Sequence, residues 1–245
     1  MFGEVPTTPY DLRFSLGGIP VRVHPMFWLF TLILGMSKNP RVVIIWLAVV
    51  FVSILIHELG HAAMSRFYGW HSHIVLYSFG GLAYHDPHRH YPRREMIISL
   101  AGPAAGFALA AVVVVIMQAT GHPIKFTWGL PRIVTWEYDE LPNSILDTAV
   151  HFLLFVNIWW GLVNLLPVLP LDGGRIASEM LMDLRVPDAM AKTLTLSIIA
   201  AVGVAIFAFT QLQEWYVALM FGYLAYTDYM TLQQFTGRGG DYGGW

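Results

Sequence analysis

His57, Glu58 and His61 stand in the order His-Glu-Leu-Gly-His in a chain of 245 residues. Histidines four apart on an α-helix share one face about one turn apart, so their imidazoles can hold a single ion. With a Glu directly after the first His, this is the H-E-x-x-H arrangement. In it two His nitrogens bind zinc and the carboxylate takes a proton from the water that zinc activates. The motif closes an apolar run, because Val42 to Ile56 contains fifteen residues without a charge. A Glu just beyond such a run costs about 2.5–3.5 kcal/mol on membrane-insertion scales, so something must compensate it. The alternative is a helix end at the membrane surface with the His and Glu side chains solvated.

Two histidines leave a catalytic zinc shell incomplete, since such sites usually carry three protein ligands and a water. The chain has no cysteine, so a further ligand must be His, Asp or Glu, and disulfides are excluded. The best candidate is Asp172, in Asn164-Leu165-Leu166-Pro167-Val168-Leu169-Pro170-Leu171-Asp172-Gly173-Gly174-Arg175. Pro167 and Pro170 would unwind a helix, which a membrane tolerates where backbone lines a cavity or packs on protein. Gly173 and Gly174 would let the chain turn while Asp172 points inward. Asp-Gly-Gly is equally a common turn or helix cap. Asn164 is a candidate buried amide, able to donate to a substrate carbonyl or oxyanion. Asn157 and Glu179 read as structural alternatives.

The elements that must position these groups are membrane elements. The chain is 56% hydrophobic and 12% charged, with a mean hydropathy of +0.56, far from the profile of a soluble domain. Six apolar segments predict an α-helical polytopic membrane protein of about six transmembrane helices. They run from about Pro25 to Met36, Val42 to Phe67, Met96 to Thr120, Thr148 to Leu166, Ala191 to Phe209, and Trp215 to Leu232. The first is short for a full span of about 20 residues. Residues 1–23 lack the apolar core of a cleavable signal peptide. The formal net charge of -2 gives no basic field for nucleic acid.

A small membrane-associated β-hairpin or sheet is expected beside the metal helix. Gly17-Gly18-Ile19-Pro20 is a turn signal, followed by a strand-like Val21-Arg22-Val23. From His71 to Tyr84, β-branched and aromatic residues flank Gly80-Gly81, which reads as a hairpin turning at the Gly pair. Its open edge could hold an extended peptide, making Ile74, Val75, Leu76, Tyr77, Ser78, Phe79, Gly80 and Gly81 candidate substrate-binding residues. The plain alternative is an ordinary surface hairpin. The loop bearing His85, His88 and His90 reads as solvated and interfacial, with a second metal site as the lesser alternative. Gly102 and Gly106, four apart in the third span, would let it pack closely on the metal helix. No internal repeat or long linker appears. The expectation is one integral membrane domain over residues 1–236 and a disordered Gly-rich tail over 237–245.

With six spans, Lys and Arg distribute unequally. Ten fall on the side of the termini (Arg13, Arg22, Arg66, Arg89, Arg93, Arg94, Arg175, Arg185, Lys192 and Arg238). Four fall opposite (Lys38, Arg41, Lys125 and Arg132). The positive-inside rule then places both termini and the active-site side in the cytoplasm of a multi-pass cell-membrane protein.

His57-Glu58-Leu59-Gly60-His61, the Gly80-Gly81 hairpin, Ala101-Gly102-Pro103 and Asn164 through Gly174 follow one another as in the site-2 protease family of intramembrane zinc metalloproteases. The chain resembles that family over roughly residues 18–186. The resemblance implies one zinc per chain held by His57, His61 and Asp172, with Glu58 as catalytic base and Asn164 positioning the scissile carbonyl. It implies regulated cleavage of single-span membrane proteins, such as membrane-tethered transcription regulators, anti-sigma factors or leftover signal peptides. Many members carry PDZ or CBS domains, and the resemblance is to the compact branch without them, which leaves regulation to a membrane partner. Two other classes compete with this reading. A metal transporter would need further polar residues in line across the membrane, and the spans after residue 190 offer few beyond Thr and Ser. A catalytically inactive relative that binds membrane proteins would not need the intact motifs.

Overall fold

A computed structural model describes residues 5–78, 80–85, 90–130 and 133–238. The chain clusters into two compact units that interleave in sequence: Met1–His90 with Ala101–Lys125 and Glu137–Leu162, and Tyr91–Leu100 with Phe126–Trp136 and Val163–Trp245.

The first unit opens with a sheet. Strands β1 (Leu12–Leu16) and β2 (Ile19–Val23) pair antiparallel through Gly17 and Gly18, at φ 55° and 79°. Two consecutive positive φ values are what a two-residue hairpin turn demands and what glycine adopts without steric cost. Helices α1 (Pro25–Leu34) and α2 (Pro40–Phe67) follow. Asn39 caps α2, its Oδ1 accepting the Arg41 N–H at 3.0 Å, and Pro40 occupies the first turn where no N–H is needed. Trp46 of α2 donates its indole N–H to the Thr31 carbonyl at 2.9 Å, docking α1 on α2.

Strands β3 (Ser72–Tyr77) and β4 (Gly80–His85) complete the sheet in the order β1-β2-β3-β4. β2 and β3 are parallel, with Val21 opposite Ile74 and Val23 opposite Leu76. β3 and β4 are antiparallel, with Leu76 opposite Gly81 and Tyr77 opposite Gly80. Two expectations change here. Gly80 and Gly81 are strand residues, and the described turn residue, Ser78, precedes them. Ile74 to Leu76 belong to an interior strand paired on both sides, so they present no open edge; the edge strands are β1 and β4. Phe79 and His88 lie outside the described residues.

Val21, Val23, Phe27, Val50, Ile54, Ala62, Ile74 and Leu76 form the core that joins this sheet to α1 and α2. Helix α3 (Pro92–Ala119) contains Pro103 and contributes its residues from Ala101 onward to the unit. The unit ends with α4 (Ser144–Phe155) and a π-helical turn at Val156–Trp160.

Strands β5 (Lys125–Trp128) and β6 (Val134–Glu137) pair with each other. The short helix α5 (Gly161–Asn164) contains the unit boundary after Leu162; in the second unit it gives way at Pro167 and Pro170 to a loop, then to α6 (Asp172–Asp183), α7 (Ala189–Phe207), a π-helical turn at Ala208–Leu212, and α8 (Trp215–Arg238). Val168 of the loop is enclosed with Ala201 of α7 and with Phe221 and Ala225 of α8. Apart from residues 237 and 238, which continue α8, the predicted Gly-rich tail lies outside the described residues.

Among the described residues, four helices are long and apolar enough to cross a membrane: Pro40–Phe67, Pro92–Ala119, Ser144–Asn164 and Ala189–Leu212. The other two expected spans are present as helices. α1 has 10 residues, and at 1.5 Å per residue it covers about half of a hydrocarbon core roughly 30 Å thick. α8 has the length, but Thr227, Asp228, Tyr229 and neighbouring tyrosines make it less apolar.

Candidate metal centre

The metal motif lies late in α2, where the helix turns a polar face inward. His57, Glu58 and His61 are 5%, 5% and 7% exposed, beside the enclosed Ser53 and Ala62. The Nε2 atoms of His57 and His61 stand 3.1 Å apart. Two imidazole nitrogens on one tetrahedral zinc, each at about 2.0–2.1 Å, stand roughly 3.3 Å apart, so the pair is set for a shared ion.

Space for this pair is made by Gly102 of α3. A Cβ there would fall 2.1 Å from the His61 Nε2 and 2.8 Å from the His57 Nε2. Gly60 of α2 similarly meets the Ala101 carbonyl, which a Cβ would approach to 2.4 Å. The close approach of α2 and α3 predicted from the small residues is therefore centred on the metal ligands. Gly106 has looser surroundings, with Asn157 Oδ1 at 3.5 Å from a Cβ.

The Glu58 side chain rests on β4. A Cβ at Gly81 would lie 2.1 Å from Glu58 Cγ and 2.6 Å from its Oε1. Glycine is needed at 81 for this approach, which explains why the Gly pair that reads as a turn occurs inside a strand.

Asn157 sits in the π-helical turn and is buried. Its Nδ2 donates to Ser53 Oγ at 2.9 Å and to the Leu153 carbonyl at 2.8 Å. Ser53 lies one turn before His57 on α2, so Asn157 ties the metal helix to α4 in the structural role expected of it. π-Helical turns often mark functional positions, since the extra residue re-aims side chains.

In the second unit Asp172 is the first residue of α6 and is buried. The N-terminal end of the helix dipole favours a negative charge there. Gly173 and Gly174 pack on the backbone of the preceding loop: Cβ atoms at these positions would lie 2.2 Å from the Leu165 carbonyl oxygen and 2.6 Å from that of Val168. Asn164, the last residue of α5, is also buried. Glu179 is half-buried two turns after Asp172 on α6.

Among the described residues, the candidate metal ligands are thus His57 and His61 in the first unit and Asp172 in the second, and all three are buried. The donor set of two imidazoles and a carboxylate suits a catalytic zinc. The side-chain-free surface of Gly102 supplies the room that an ion between the imidazoles needs. His90 belongs to no metal-binding group among the described residues, and His88 and the side chain of His85 lie outside them. The sequence missed the contact of Gly81 with Glu58 and a buried carboxylate on the last helix, Asp228.

Comparison with known proteins agrees with this architecture. The profile of Peptidase family M50 matches residues 45–209. A zinc metalloprotease of Methanocaldococcus jannaschii is 30% identical over 183 residues, covering 70% of this chain and 46% of that protein. Stage IV sporulation protein FB of Bacillus subtilis is 27% identical over 160 residues, covering 64% of this chain and 46% of that protein. A solved structure of the site-2 protease from Methanocaldococcus jannaschii shares the fold, with a TM-score of 0.56 at 23% identity over 90% of this chain and 94% of that one. The match to residues 45–209 takes in His57, Glu58, His61 and Asp172 together, and the chain belongs to peptidase family M50. It spans just under half the length of these two curated relatives.

Proposed function

We propose that this chain is an intramembrane zinc metalloprotease of the site-2 type, which cleaves the membrane segments of single-span proteins. The observation that carries the reading is the pairing of the His57 and His61 nitrogens at 3.1 Å with the buried Glu58 carboxylate next to them in sequence. His57, His61 and Asp172 would hold the metal. Bound there, zinc supplies Lewis acidity, polarising a peptide carbonyl and bringing the pKa of water towards 7.

The chain's own groups move the proton. Glu58 accepts it from the attacking water and returns it to the departing amine, the two halves of general acid–base catalysis. Contact with Gly81 holds the Glu58 side chain in place. Asn164 donates its amide N–H to the carbonyl oxygen as negative charge develops there. Glu58 and Asn164 are both buried.

An intact helix hides its carbonyls, so a substrate must be extended where it is cut. The edge strand β4 offers backbone donors and acceptors for one added strand, and of the predicted substrate-binding residues Gly80 and Gly81 lie on that strand. We place both termini and the active-site side in the cytoplasm, supported by the ten-to-four Lys and Arg asymmetry when α1 and α8 are counted as crossings. Lipid and a regulatory membrane protein complete the set of partners.

The test is cleavage of a panel of single-span reporters by purified wild type and Glu58→Gln, with zinc content measured on both. Loss of cleavage with zinc retained supports the reading; cleavage by Glu58→Gln at the wild-type rate overturns it.

A further inference from the structure

A buried carboxylate on the last helix has no part in the chemistry above. Asp228 of α8 is 7% exposed and Ser197 of α7 is fully enclosed. Ser197 Oγ donates to Asp228 Oδ2, and Ser197 Oγ in turn accepts the Leu169 N–H at 2.8 Å. Leu169 belongs to the loop that leads from α5 to Asp172.

The loop has few amides to spare, since Pro167 and Pro170 carry no N–H. The amides of Leu166, Val168 and Leu171 bond to the nearby carbonyls of Val163, Leu166 and Val168. The Leu169 amide instead leaves the segment for α7. Around this bond the packing is apolar, with Val168, Ala201, Phe221 and Ala225 enclosed together. A carboxylate in such surroundings is expensive, and one placed there marks function or specific geometry.

Loop position and Asp172 position are coupled. Gly173 and Gly174 pack without side chains on the backbone of Leu165, Leu166, Val168 and Leu169, so a shift at Leu169 displaces the first turn of α6, where Asp172 sits. We infer that Ser197 and Asp228 are positioning residues: the donor chain from the Leu169 amide through Ser197 to Asp228 fixes the loop in the one placement that presents Asp172 to the metal. The inference rests on the reading of Asp172 as a metal ligand. It gives the α7–α8 hairpin a part in the chemistry, through two polar residues whose partners lie on other elements.

The experiment uses the full chain in detergent, with zinc affinity from chelator competition and the visible absorption of the cobalt-substituted protein as a report on ligand geometry. The variants are Ser197→Ala, Asp228→Leu, Asp228→Asn and Asp172→Ala, together with Ser197→Ala in the Asp172→Ala background. Partners that orient metal ligands typically contribute about 10–100-fold in affinity. Ser197→Ala is therefore expected to weaken zinc by that order and to shift the cobalt bands. Asp228→Asn keeps an acceptor oxygen in the same place and should restore near-wild-type binding. In the Asp172→Ala background, Ser197→Ala should cost nothing further.

Wild-type affinity and cobalt spectrum in Ser197→Ala overturn the inference, as does an equal loss with and without Asp172, which would mean general damage. Should Ser197→Ala fail to purify as folded protein, Asp228→Leu and Asp228→Asn carry the comparison. Leu must lose affinity where Asn keeps it, and equal affinity in the two overturns the inference. If Asp172→Ala alone binds zinc as wild type does, the metal-ligand reading falls and this inference with it. A failure of the donor chain by itself leaves Asp172→Ala weak.

Discussion

Gly102 of α3 lies directly against His61 of α2, so close that a Cβ at position 102 would stand 2.1 Å from the imidazole Nε2. Adding one methyl group there must either turn the imidazole or part the two helices. Gly102→Ala is expected to lower zinc affinity by about tenfold or more and to cost about 1–3 kcal/mol through overpacking. Gly106→Ala, whose Cβ would meet only ordinary contacts from 3.5 Å outward, is expected to bind zinc as wild type does. Zinc titration of the two variants side by side checks the difference.

Gly81 and Gly80 make a second such pair. A Cβ at Gly81 would stand 2.1 Å from Glu58 Cγ, whereas one at Gly80 would stand 3.5 Å from the Trp160 ring. Gly81→Ala is therefore expected to keep its zinc while kcat falls, within the roughly 10²–10⁴-fold contributed by a positioned general base. Gly80→Ala, which leaves Glu58 untouched, should lose far less kcat, so reporter cleavage together with metal analysis separates the two.

The N-terminal sheet carries an acid-sensitive contact. Burial pushes the Asp11 carboxyl up, but the Thr8 hydroxyl and amide and the Arg22 guanidinium outweigh it and hold the pKa down at about 2. Thr8 Oγ1 donates at 2.6 Å and Arg22 Nη1 at 3.0 Å. Because the folded pKa lies below the unfolded value of about 3.9, the stabilisation is complete above that value and is lost as pH falls from about 4 to about 2. Asp11→Asn should thus destabilise the protein at pH 7 and make little difference near pH 2, a convergence that thermal melts of both proteins would reveal.

Membrane orientation is open to chemistry because the chain has no cysteine of its own. A single cysteine at Lys125 should react with a membrane-impermeant maleimide in intact cells, and one at Lys192 only after the cells are opened. The reverse pattern would refute the assigned sidedness.

The parts of this site that were legible in the sequence are those fixed by local spacing. His57 and His61 fall on one helical face whatever surrounds them, and the prolines at 167 and 170 end a helix by covalent geometry. The parts that were not legible depend on distant partners. β3 reads as a free hairpin strand until β2 is found beside it, a parallel pairing that no local pattern announces. Gly80-Gly81 signals a turn as readily as a close approach, and only the position of Glu58 decides between them. Ser197 and Asp228 are 31 residues apart, and nothing in either helix marks them as partners of each other or of Leu169. α1 reads as an apolar run, but its length as a helix depends on where Gly35 stops it.

The parallel pairing of β2 with β3 also bears on how the molecule is made. Val21 and Ile74 are register partners, and α1 and α2 lie between them in the chain, so the four-stranded sheet closes a loop of about fifty residues that contains the metal helix. Closing so long a loop must wait for its contents, since distant contacts form only after the intervening chain is in place. The β1–β2 hairpin is local, while β3 and β4 can join it only after α1 and α2 have been synthesised. β4 brings Gly81 to Glu58, so the carboxylate gains its support at the end of this sequence. The support of the base thus comes from chain that follows the helix carrying it.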